Sequence, residues 1–225
     1  LVSYTLAVLR QCEEIGEIIL VVAPEEVERG RGLLAPGAGR SERIVAGGAE
    51  RQHSVAAGLS EVRADSELVL VHDAARPFVT PELVRRCLEG AREHGAAVAA
   101  LPATDTVKEA DGEGVVRATL DRSRLWLVQT PQAFRRVLLE QAYRSAAEAG
   151  VIGTDDASLV ERLGHAVQLV AGDPDNIKVT YPHDVRRSEQ VLQQRRSRRE
   201  SGATLRCGIG YDAHRFADER PLVLG

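Results

Sequence analysis

Methionine is absent from the 225 residues, and cysteine is scarce. Because a natural open reading frame begins with Met, we expect that Leu1 is not the native start. The three cysteines, Cys12, Cys87 and Cys207, are odd in number and scattered, which argues against a disulfide framework and favours a reducing cytoplasm. No apolar run approaches the roughly 20 residues of a membrane span, and the first residues lack the pattern of a signal peptide.

A large excess of charge of one sign is also absent. The chain has 29 basic and 33 acidic residues, giving a formal net charge of −4, which disfavours a broad nucleic-acid interface. An anionic substrate would therefore be held by a few converging cations. The sequence contains no GxxxxGK[ST] loop and no Ser-His-Asp pattern, so P-loop and hydrolase mechanisms are set aside. The composition is typical of a soluble globular protein, and the length suits one α/β domain plus a tail.

Strand-like and helix-like stretches alternate along the chain, which predicts βαβ units and a largely parallel sheet. The predicted strands are 17–23, 43–46, 67–72, 96–101 and 166–170. The predicted helices are 3–14, one opening at Pro24, 50–59, 81–93, 135–149, 155–163 and 182–198. Segments 106–110 and 115–120 flank a Gly-containing turn and predict a β-hairpin that projects from the sheet. The polar run 193–202 predicts a linker or a fraying helix end, and nucleic-acid contact by its basic residues is the less favoured alternative.

Polar residues follow the strand 67–72 at its C-terminal end, which is where open α/β sheets bind ligands. Asp73 suits a metal ion or a sugar hydroxyl. Arg76 suits a phosphate, since its planar guanidinium matches phosphate oxygens. The alternative is an ordinary helix-entry turn, with Asp73 as a turn residue and Arg76 in a surface ion pair.

Four further polar clusters fall in predicted turns after strands, where function is concentrated. They are 47–54, 104–108 with 121–122, 129–132 with 153–158, and 175–180. Each has an ordinary alternative: a strand-to-helix turn, the turn chemistry of a hairpin root, a helix N-cap at Thr154 or Asp155, and a surface lysine on an edge strand at Lys178.

The cations and hydroxyls of these clusters suit phosphoryl or nucleotidyl transfer. That chemistry asks a protein mainly to position its substrates and to neutralise spread negative charge. The residues concerned are Arg76, Arg122, Lys178, Thr106, Thr130 and Thr154.

In this order, the clusters resemble those of the 2-C-methyl-D-erythritol 4-phosphate cytidylyltransferase family. The resemblance covers essentially residues 1–190, and its matching stretches are 47–54, 71–77, 105–108, 121–122 with 125–126, 130–132, 154–158 and 175–180. It implies an α/β fold of the Rossmann-like, three-layer nucleotidyltransferase kind, with a mostly parallel sheet and a projecting β-hairpin arm.

The resemblance also implies an activity. The cytidylyl group of CTP is joined to the phosphate of 2-C-methyl-D-erythritol 4-phosphate, diphosphate is released, and Mg²⁺ assists, in the non-mevalonate route to isoprenoid precursors. The acceptor phosphate is already ionised near pH 7, so no general base is needed. The alternatives are another sugar-phosphate nucleotidyltransferase, and a non-catalytic dimer that binds a ligand without turnover.

Residue roles follow from the same resemblance. Gly48, Ala49 and Ser54 match positions that line the cytosine and ribose pocket, and Asp73 matches a position near the ribose and the acceptor hydroxyls. The residues implied to hold the acceptor polyol are Arg76, Thr106 and Thr154.

Arg122, Thr130 and Lys178 are implied to hold the acceptor phosphate, with Arg122 and Lys178 as the catalytic residues. In the family, the hairpin arm crosses to a second subunit. The resemblance therefore implies a homodimer in which Thr106 and Arg122 complete the partner's site, with no nucleic-acid or membrane partner.

Both ends of the chain carry further expectations. The family's Gly-rich loop, whose Arg and Lys act on the CTP phosphates, would precede Leu1, so we expect this fragment to be inactive. Residues 207–216 resemble the first strand of the 2-C-methyl-D-erythritol 2,4-cyclodiphosphate synthase family, and Asp212 and His214 match two of its zinc ligands. A catalytic zinc needs three protein ligands, so we expect no stable Zn²⁺ binding.

These resemblances imply a bifunctional parent with a transferase and a phosphorus–oxygen lyase activity. The implied organisation is a cytidylyltransferase domain at 1–192, a linker at 193–204 and a synthase stub at 205–225.

Overall fold

The computed structural model describes residues 1–35 and 40–200. Its helices are α1 Val2–Leu9, α2 Val27–Arg31, α3 Arg51–Ser60, α4 Pro81–His94, α5 Arg136–Glu148, α6 Asp156–Arg162 and α7 Pro182–Glu200. Its strands are β1 Glu17–Val22, β2 Ser41–Ala46, β3 Leu68–Val71, β4 Ala96–Pro102, β5 Lys108–Ala110, β6 Val116–Thr119, β7 Trp126–Arg135 and β8 Gln168–Ala171. Short 3₁₀ turns lie at Pro24–Glu26 and Arg122–Arg124.

The strands form two sheets and a hairpin. β1 and β2 pair in parallel, and a four-stranded sheet has the order β3-β7-β4-β8. β4 is parallel to β8, whereas β7 runs antiparallel to both of its neighbours. β5 and β6 form the predicted antiparallel hairpin. The predicted α/β fold with a largely parallel sheet and a hairpin arm is confirmed.

Helices cover both faces of the four-stranded sheet. α4 presents apolar residues at helical spacing, including Leu83, Cys87 and Ala91, to one face. The N-terminus of α4 is capped by Thr80, whose hydroxyl accepts a hydrogen bond from the Leu83 amide at 3.2 Å. α5 and α6 pack on the other face. β4 is buried from residue 96 to residue 100, as its continuous apolar sequence predicts for a strand covered on both sides.

A cavity of about 570 Å³ lies between β1 and β3. Residues of both strands line it, with Leu59 of α3 and Leu6 of α1. Among the described strands, the facing edges of β1 and β3 are not hydrogen-bonded to each other, so the sheet is divided here. Arg51 and Asp73 line the cavity as well, which brings it to the candidate site.

β7 is the main feature that the sequence prediction got wrong. Residues 129–132 were predicted as a turn, but they lie inside β7 and are buried. Pro131 lacks an N–H and normally argues against a central strand; here the Thr130–Pro131 peptide bond is cis. The two buried glutamines, Gln129 and Gln132, also make β7 hard to predict, because polar residues at these positions indicate a loop.

Smaller differences concern the ends of elements. Residues 175–180 were predicted to be strand-like but form an irregular segment, and α1 ends at Leu9 instead of continuing to residue 14. Residues 193–200, predicted as a linker or a fraying helix end, continue α7. The rest of the predicted linker and the synthase stub, with Asp212 and His214, lie outside the described residues.

Across residues 1–35 and 40–200, no helix combines the length and the apolar character needed to cross a membrane.

Candidate functional site

Asp73, directly after β3, is the centre of a charged cluster. Its Oδ1 lies 3.1 Å from Arg51 Nε, and its Oδ2 lies 3.0 Å from Lys178 Nζ. Arg51 is the first residue of α3. Lys178 lies on the irregular segment before α7, next to Val179, whose amide donates to the Ala75 carbonyl at 2.8 Å. Three distant chain segments therefore meet at one carboxylate, and two of the predicted site residues, Asp73 and Lys178, are in direct contact.

The charges of this cluster support one another. Burial by itself would raise the pKa of Asp73, but the positive charges of Arg51 and Lys178 outweigh it, so that pKa lies below its ordinary value. Burial would also lower the pKa of Arg51, but the hydrogen bond and charge of Asp156, together with Asp73, raise it. Asp73 is therefore ionised at neutral pH.

Arg51 is fixed from its other side by a buried carboxylate. Its Nη2 lies 2.7 Å from Oδ2 of Asp156, which is 0% exposed. The Tyr143 hydroxyl donates to the second oxygen of Asp156, and burial together with that negative charge raises the pKa of Tyr143. No role for Arg51 or Asp156 is predicted from the sequence. They are 105 positions apart, so nothing in the sequence signals their contact.

His72 and Thr130 hold the turn that carries Asp73. The Nε2 of His72 lies 3.0 Å from the Arg76 carbonyl oxygen, and its Nδ1 lies 3.0 Å from Thr130 Oγ1. A carbonyl oxygen only accepts, so Nε2 carries the proton and Nδ1 accepts the hydroxyl proton of Thr130. The Thr130 oxygen in turn accepts from the Asp73 amide at 3.0 Å. Desolvation lowers the pKa of His72 to about 4, which keeps the ring neutral at pH 7.

Buried amides position the segment that carries Lys178. The Nε2 of Gln129 donates to the Asp173 carbonyl at 3.0 Å, and its Oε1 accepts from the Asp173 amide at 3.2 Å. Asn176 is 0% exposed, and its carbonyl accepts from Arg76 Nη1 at 2.8 Å. Arg76 thus contacts the segment that brings Lys178 to Asp73.

Gln132 of β7 holds the turn before α6. Its Nε2 donates to Asp155 Oδ2 at 2.8 Å, and its Oε1 accepts from the Ala157 amide at 3.2 Å. Asp155 is the N-cap of α6 and forms a capping box with Ser158. The N-cap interpretation of Asp155 is confirmed, and the exposed Thr154 precedes it.

Replacing Gln132 with leucine should destabilise the protein by about 2 kcal/mol, because a partly buried Asp155 oxygen and the buried Ala157 amide each lose a partner. The free energy of unfolding in urea measures this. Gln168→Leu is the control: Gln168 is exposed on β8, and its replacement should change stability by less than about 0.5 kcal/mol. Equal unfolding midpoints for the two variants would contradict the assigned role of Gln132.

The Gly48 turn leads into α3 beside the charged cluster. The Gly48 amide donates to Ser54 Oγ at 3.2 Å, and Ala49 is exposed. A Cβ on Gly48 would lie 2.5 Å from the Cβ of His53, so only glycine fits without a shift. The predicted nucleotide-binding turn, with Gly48, Ala49 and Ser54, is thus connected through Arg51 to Asp73.

Thr106 and Arg122 lie at the root of the hairpin, apart from this cluster. Both are exposed, and Arg122 Nη1 donates to the Thr104 carbonyl at 2.8 Å. Within the described ranges, no hydrogen bond or ion pair joins either residue to Asp73. The structure therefore brings together Asp73, Arg76, Thr130 and Lys178, but not the two residues of the arm.

Among the side chains of residues 1–35 and 40–200, no three His, Cys, Asp or Glu residues are grouped so as to hold a metal ion. Asp73, which the sequence offered as a possible metal ligand, is paired with two cations instead.

The family described as IspD, 2-C-methyl-D-erythritol 4-phosphate cytidylyltransferase, matches residues 1–194. The chain belongs to this family. Among its IspD relatives, the bifunctional enzyme IspD/IspF of Anaeromyxobacter sp. (strain Fw109-5) is 49% identical over 218 residues, which are 95% of this chain and 53% of that protein. The 2-C-methyl-D-erythritol 4-phosphate cytidylyltransferase of Bacillus velezensis is 48% identical over 194 residues, which are 85% of this chain and 83% of that protein.

A solved IspD structure agrees with the fold. The crystal structure of 4-diphosphocytidyl-2C-methyl-D-erythritol synthase from Anaerococcus prevotii has a TM-score of 0.79 and 33% sequence identity, and the match covers 85% of each chain. The family predicted from the sequence is confirmed. The chain spans about half the length of the bifunctional relatives that it matches.

Proposed function

We propose that the chain carries the site of a cytidylyltransferase that joins CTP to 2-C-methyl-D-erythritol 4-phosphate (methylerythritol phosphate below) and releases diphosphate, in the non-mevalonate route to isoprenoid precursors. The observation that carries this proposal is the cluster of Asp73, Arg51 and Lys178 at the end of β3, next to the Gly48 turn. A carboxylate for hydroxyl groups and a cation for a phosphate lie together, as a phosphorylated polyol requires.

The proposed reaction requires the protein to position its two substrates, and it requires no general base to remove a proton. An ionised oxygen of the acceptor phosphate attacks the α-phosphorus of CTP, the bond from that phosphorus to the bridging oxygen breaks, and diphosphate leaves with its electrons. Divalent-metal dependence is general in the family. We propose that the divalent metal is Mg²⁺. It would be bound through the triphosphate and water, as Mg²⁺ usually is at such sites.

We assign the acceptor polyol to Asp73 and Arg76 on the turn after β3, together with Thr106 and Thr154. Gly48, Ala49 and Ser54 receive the cytosine and ribose. The hydrogen-bonding side chains of the four acceptor positions suit a polyol, and the Gly48 turn leads into α3, whose first residue, Arg51, contacts Asp73.

We assign binding of the acceptor phosphate to Lys178 and Arg122. Lys178 is the cation of the cluster with the more exposed side chain, at 43% against 36% for Arg51. Thr130 borders this subsite. In the structure its hydroxyl donates a hydrogen bond to His72 and accepts one from the Asp73 amide, so we assign Thr130 the role of fixing the turn that carries Asp73.

Turnover with competing substrates tests this function. In the full-length protein, diphosphate release should require methylerythritol phosphate and should be faster with CTP than with UTP. Ribitol phosphate is the control acceptor and should give little release. Faster turnover with ribitol phosphate, or with UTP, would assign the site to another sugar-phosphate nucleotidyltransferase.

We also infer a homodimer formed through the hairpin arm, with Thr106 and Arg122 completing the partner's site. Exposed apolar side chains at the arm and its root support this, since clustered exposed apolar residues are typical of interfaces. They include Val115, Val116, Leu120, Trp126, Leu127 and Val128.

Replacing Leu127 with aspartate should convert the dimer to a monomer, because it places a charge in the inferred interface. Leu127 is 61% exposed in the single chain. Val137→Asp is the control, since Val137 is 66% exposed on α5, away from the arm. Sedimentation velocity should show half the mass for Leu127→Asp alone. An unchanged mass would contradict the arm interface.

We place the parent protein in the cytoplasm, a compartment that suits the free, buried thiols of Cys12 and Cys87. We propose the organisation transferase domain 1–192, linker 193–204 and synthase stub 205–225, in which residues 193–200 of the linker form the C-terminal part of α7. The synthase of the parent would use Zn²⁺ or a similar divalent ion and supply the lyase activity.

A further inference from the structure

The carboxylate of Asp73 is shared between two cations, one on each oxygen. Arg51 Nε contacts Oδ1 at 3.1 Å, and Lys178 Nζ contacts Oδ2 at 3.0 Å. The side chain of Asp73 is 15% exposed, so its charge is partly removed from water. A carboxylate in that position is costly to leave without a cation.

The two cations are held very differently. Arg51 has a second anchor, the fully buried Asp156, at 2.7 Å. Tyr143 holds Asp156 from the other side. In the described part of the chain, Lys178 has no ion pair other than the one with Asp73. Arg51 is therefore the fixed partner of Asp73, and Lys178 is the partner that can leave.

This difference matters when a phosphate arrives. Under the proposed function, on which this inference rests, Lys178 has to turn from Asp73 to the acceptor phosphate. If Asp73 lost its only cation in that step, the cost of an unpaired carboxylate would oppose binding. With Arg51 in place, Asp73 stays paired throughout.

We propose that Arg51 is a positioning residue, anchored on Asp156, that keeps Asp73 paired and so frees Lys178 to bind the acceptor phosphate. Arg51 acts through Asp73 and Lys178 and need not touch the substrate. The site thus exchanges one ion pair for another on binding, while the Arg51–Asp156 contact stays unchanged.

The first test separates this role from a structural one. Arg51→Gln should destabilise the protein, because it leaves Asp156 buried and unpaired. Adding Asp156→Asn removes that charge and should restore the unfolding midpoint. Calorimetry with methylerythritol phosphate should still show binding about tenfold weaker than wild type in both variants. Wild-type affinity in the double variant would overturn the proposal, since Arg51 would then act only by neutralising Asp156.

A matched control is the ion pair between Arg10, which directly follows α1, and Glu42 of β2. Arg10 forms a similar partly buried pair with Glu42, with contacts of 2.8 and 2.7 Å, and Glu42 is 1% exposed. The double variant Arg10→Gln/Glu42→Gln removes an equivalent pair without touching Asp73. Its affinity for methylerythritol phosphate should equal that of the wild type.

The second test needs no substrate. Without Arg51, Asp73 pairs with Lys178 alone, and the repulsion between the two cations is gone, so Lys178 leaves Asp73 less often and its amine is less accessible to a reagent. Acetylation of Lys178 by an N-hydroxysuccinimide ester, followed by peptide mass spectrometry, should be slower in Arg51→Gln/Asp156→Asn than in the wild type and in the Arg10/Glu42 control. Equal or faster acetylation would overturn the proposal.

The two tests keep the inference and the proposed function apart. If the wild type fails to bind methylerythritol phosphate while Lys178 acetylation slows as expected, the pairing role of Arg51 stands and the proposed acceptor is wrong. If the wild type binds and acetylation does not change, the acceptor stands and the role of Arg51 is wrong.

Discussion

Lys178→Ala should reduce kcat/KM for methylerythritol phosphate about 10²–10³-fold, with little change in the KM for CTP. The reason is that removing one preorganised charge from a reacting phosphate typically has this effect. Lys178 is the cation that the Asp73 cluster presents with a single partner, so its loss removes the main phosphate contact contributed from this side of the site. Steady-state diphosphate release in the full-length protein, with each substrate varied in turn, measures the effect.

Two further variants sharpen this result. Lys178→Arg keeps the charge and should recover part of the acceptor affinity, although the guanidinium has a different shape. Arg144→Ala removes an exposed cation on α5 and should leave both constants unchanged. Unchanged constants for methylerythritol phosphate in Lys178→Ala would remove Lys178 from the acceptor site.

The stability of the protein should fall by about 3 kcal/mol as the pH is lowered from 6.5 to 4, because of His72. The ordinary pKa of histidine is 6.5, whereas desolvation lowers the pKa of His72 to about 4 in the folded protein. Between these values the unfolded chain binds a proton that the folded chain does not, so stability is full above pH 6.5 and declines below it. Asp73 acts in a lower window: its stabilisation is lost as the pH falls through its own lowered pKa.

Urea unfolding at a series of pH values tests the histidine effect. His72→Gln, which can still donate to the Arg76 carbonyl, should remove most of the decline between pH 6.5 and 4. His165→Gln, at an exposed position of the surface, is the control variant. If His72→Gln and the wild type lose the same stability over this range, the neutral His72 assigned to the Thr130 contact is wrong.

The parts of the fold that the sequence predicted are those specified by local patterns. α4 has a Thr cap, a Pro at its first turn and an apolar stripe, and β4 is a short continuous apolar run. The structure gives both elements almost as predicted. β7 could not be predicted in this way, because Pro131 and two glutamines mask a strand whose stability comes from pairing with β3 and β4. The buried glutamines are satisfied only by loops that are distant in sequence.

The candidate site shows the same division. Asp73 and Lys178 could be selected from the sequence, since polar residues after apolar strands are placed at the binding edge of the sheet. Arg51 lies within the polar cluster 47–54, but nothing in the sequence indicates its partners. Its contacts with Asp73 and Asp156 span 22 and 105 positions, and only the folded chain brings these residues together. The tautomer of His72 likewise follows from the contacts of its ring, which no local pattern encodes.

The proposed function requires that this site recognise a polyol through its phosphate. Calorimetric titration of the chain with methylerythritol phosphate, and separately with the phosphate-free polyol 2-C-methyl-D-erythritol, measures this recognition. We expect the phosphorylated ligand to bind at least about 100-fold more tightly. We also expect Lys178→Ala to remove most of this difference while leaving the weak binding of the free polyol unchanged. Equal affinity of the wild type for the two ligands would rule out recognition through the phosphate.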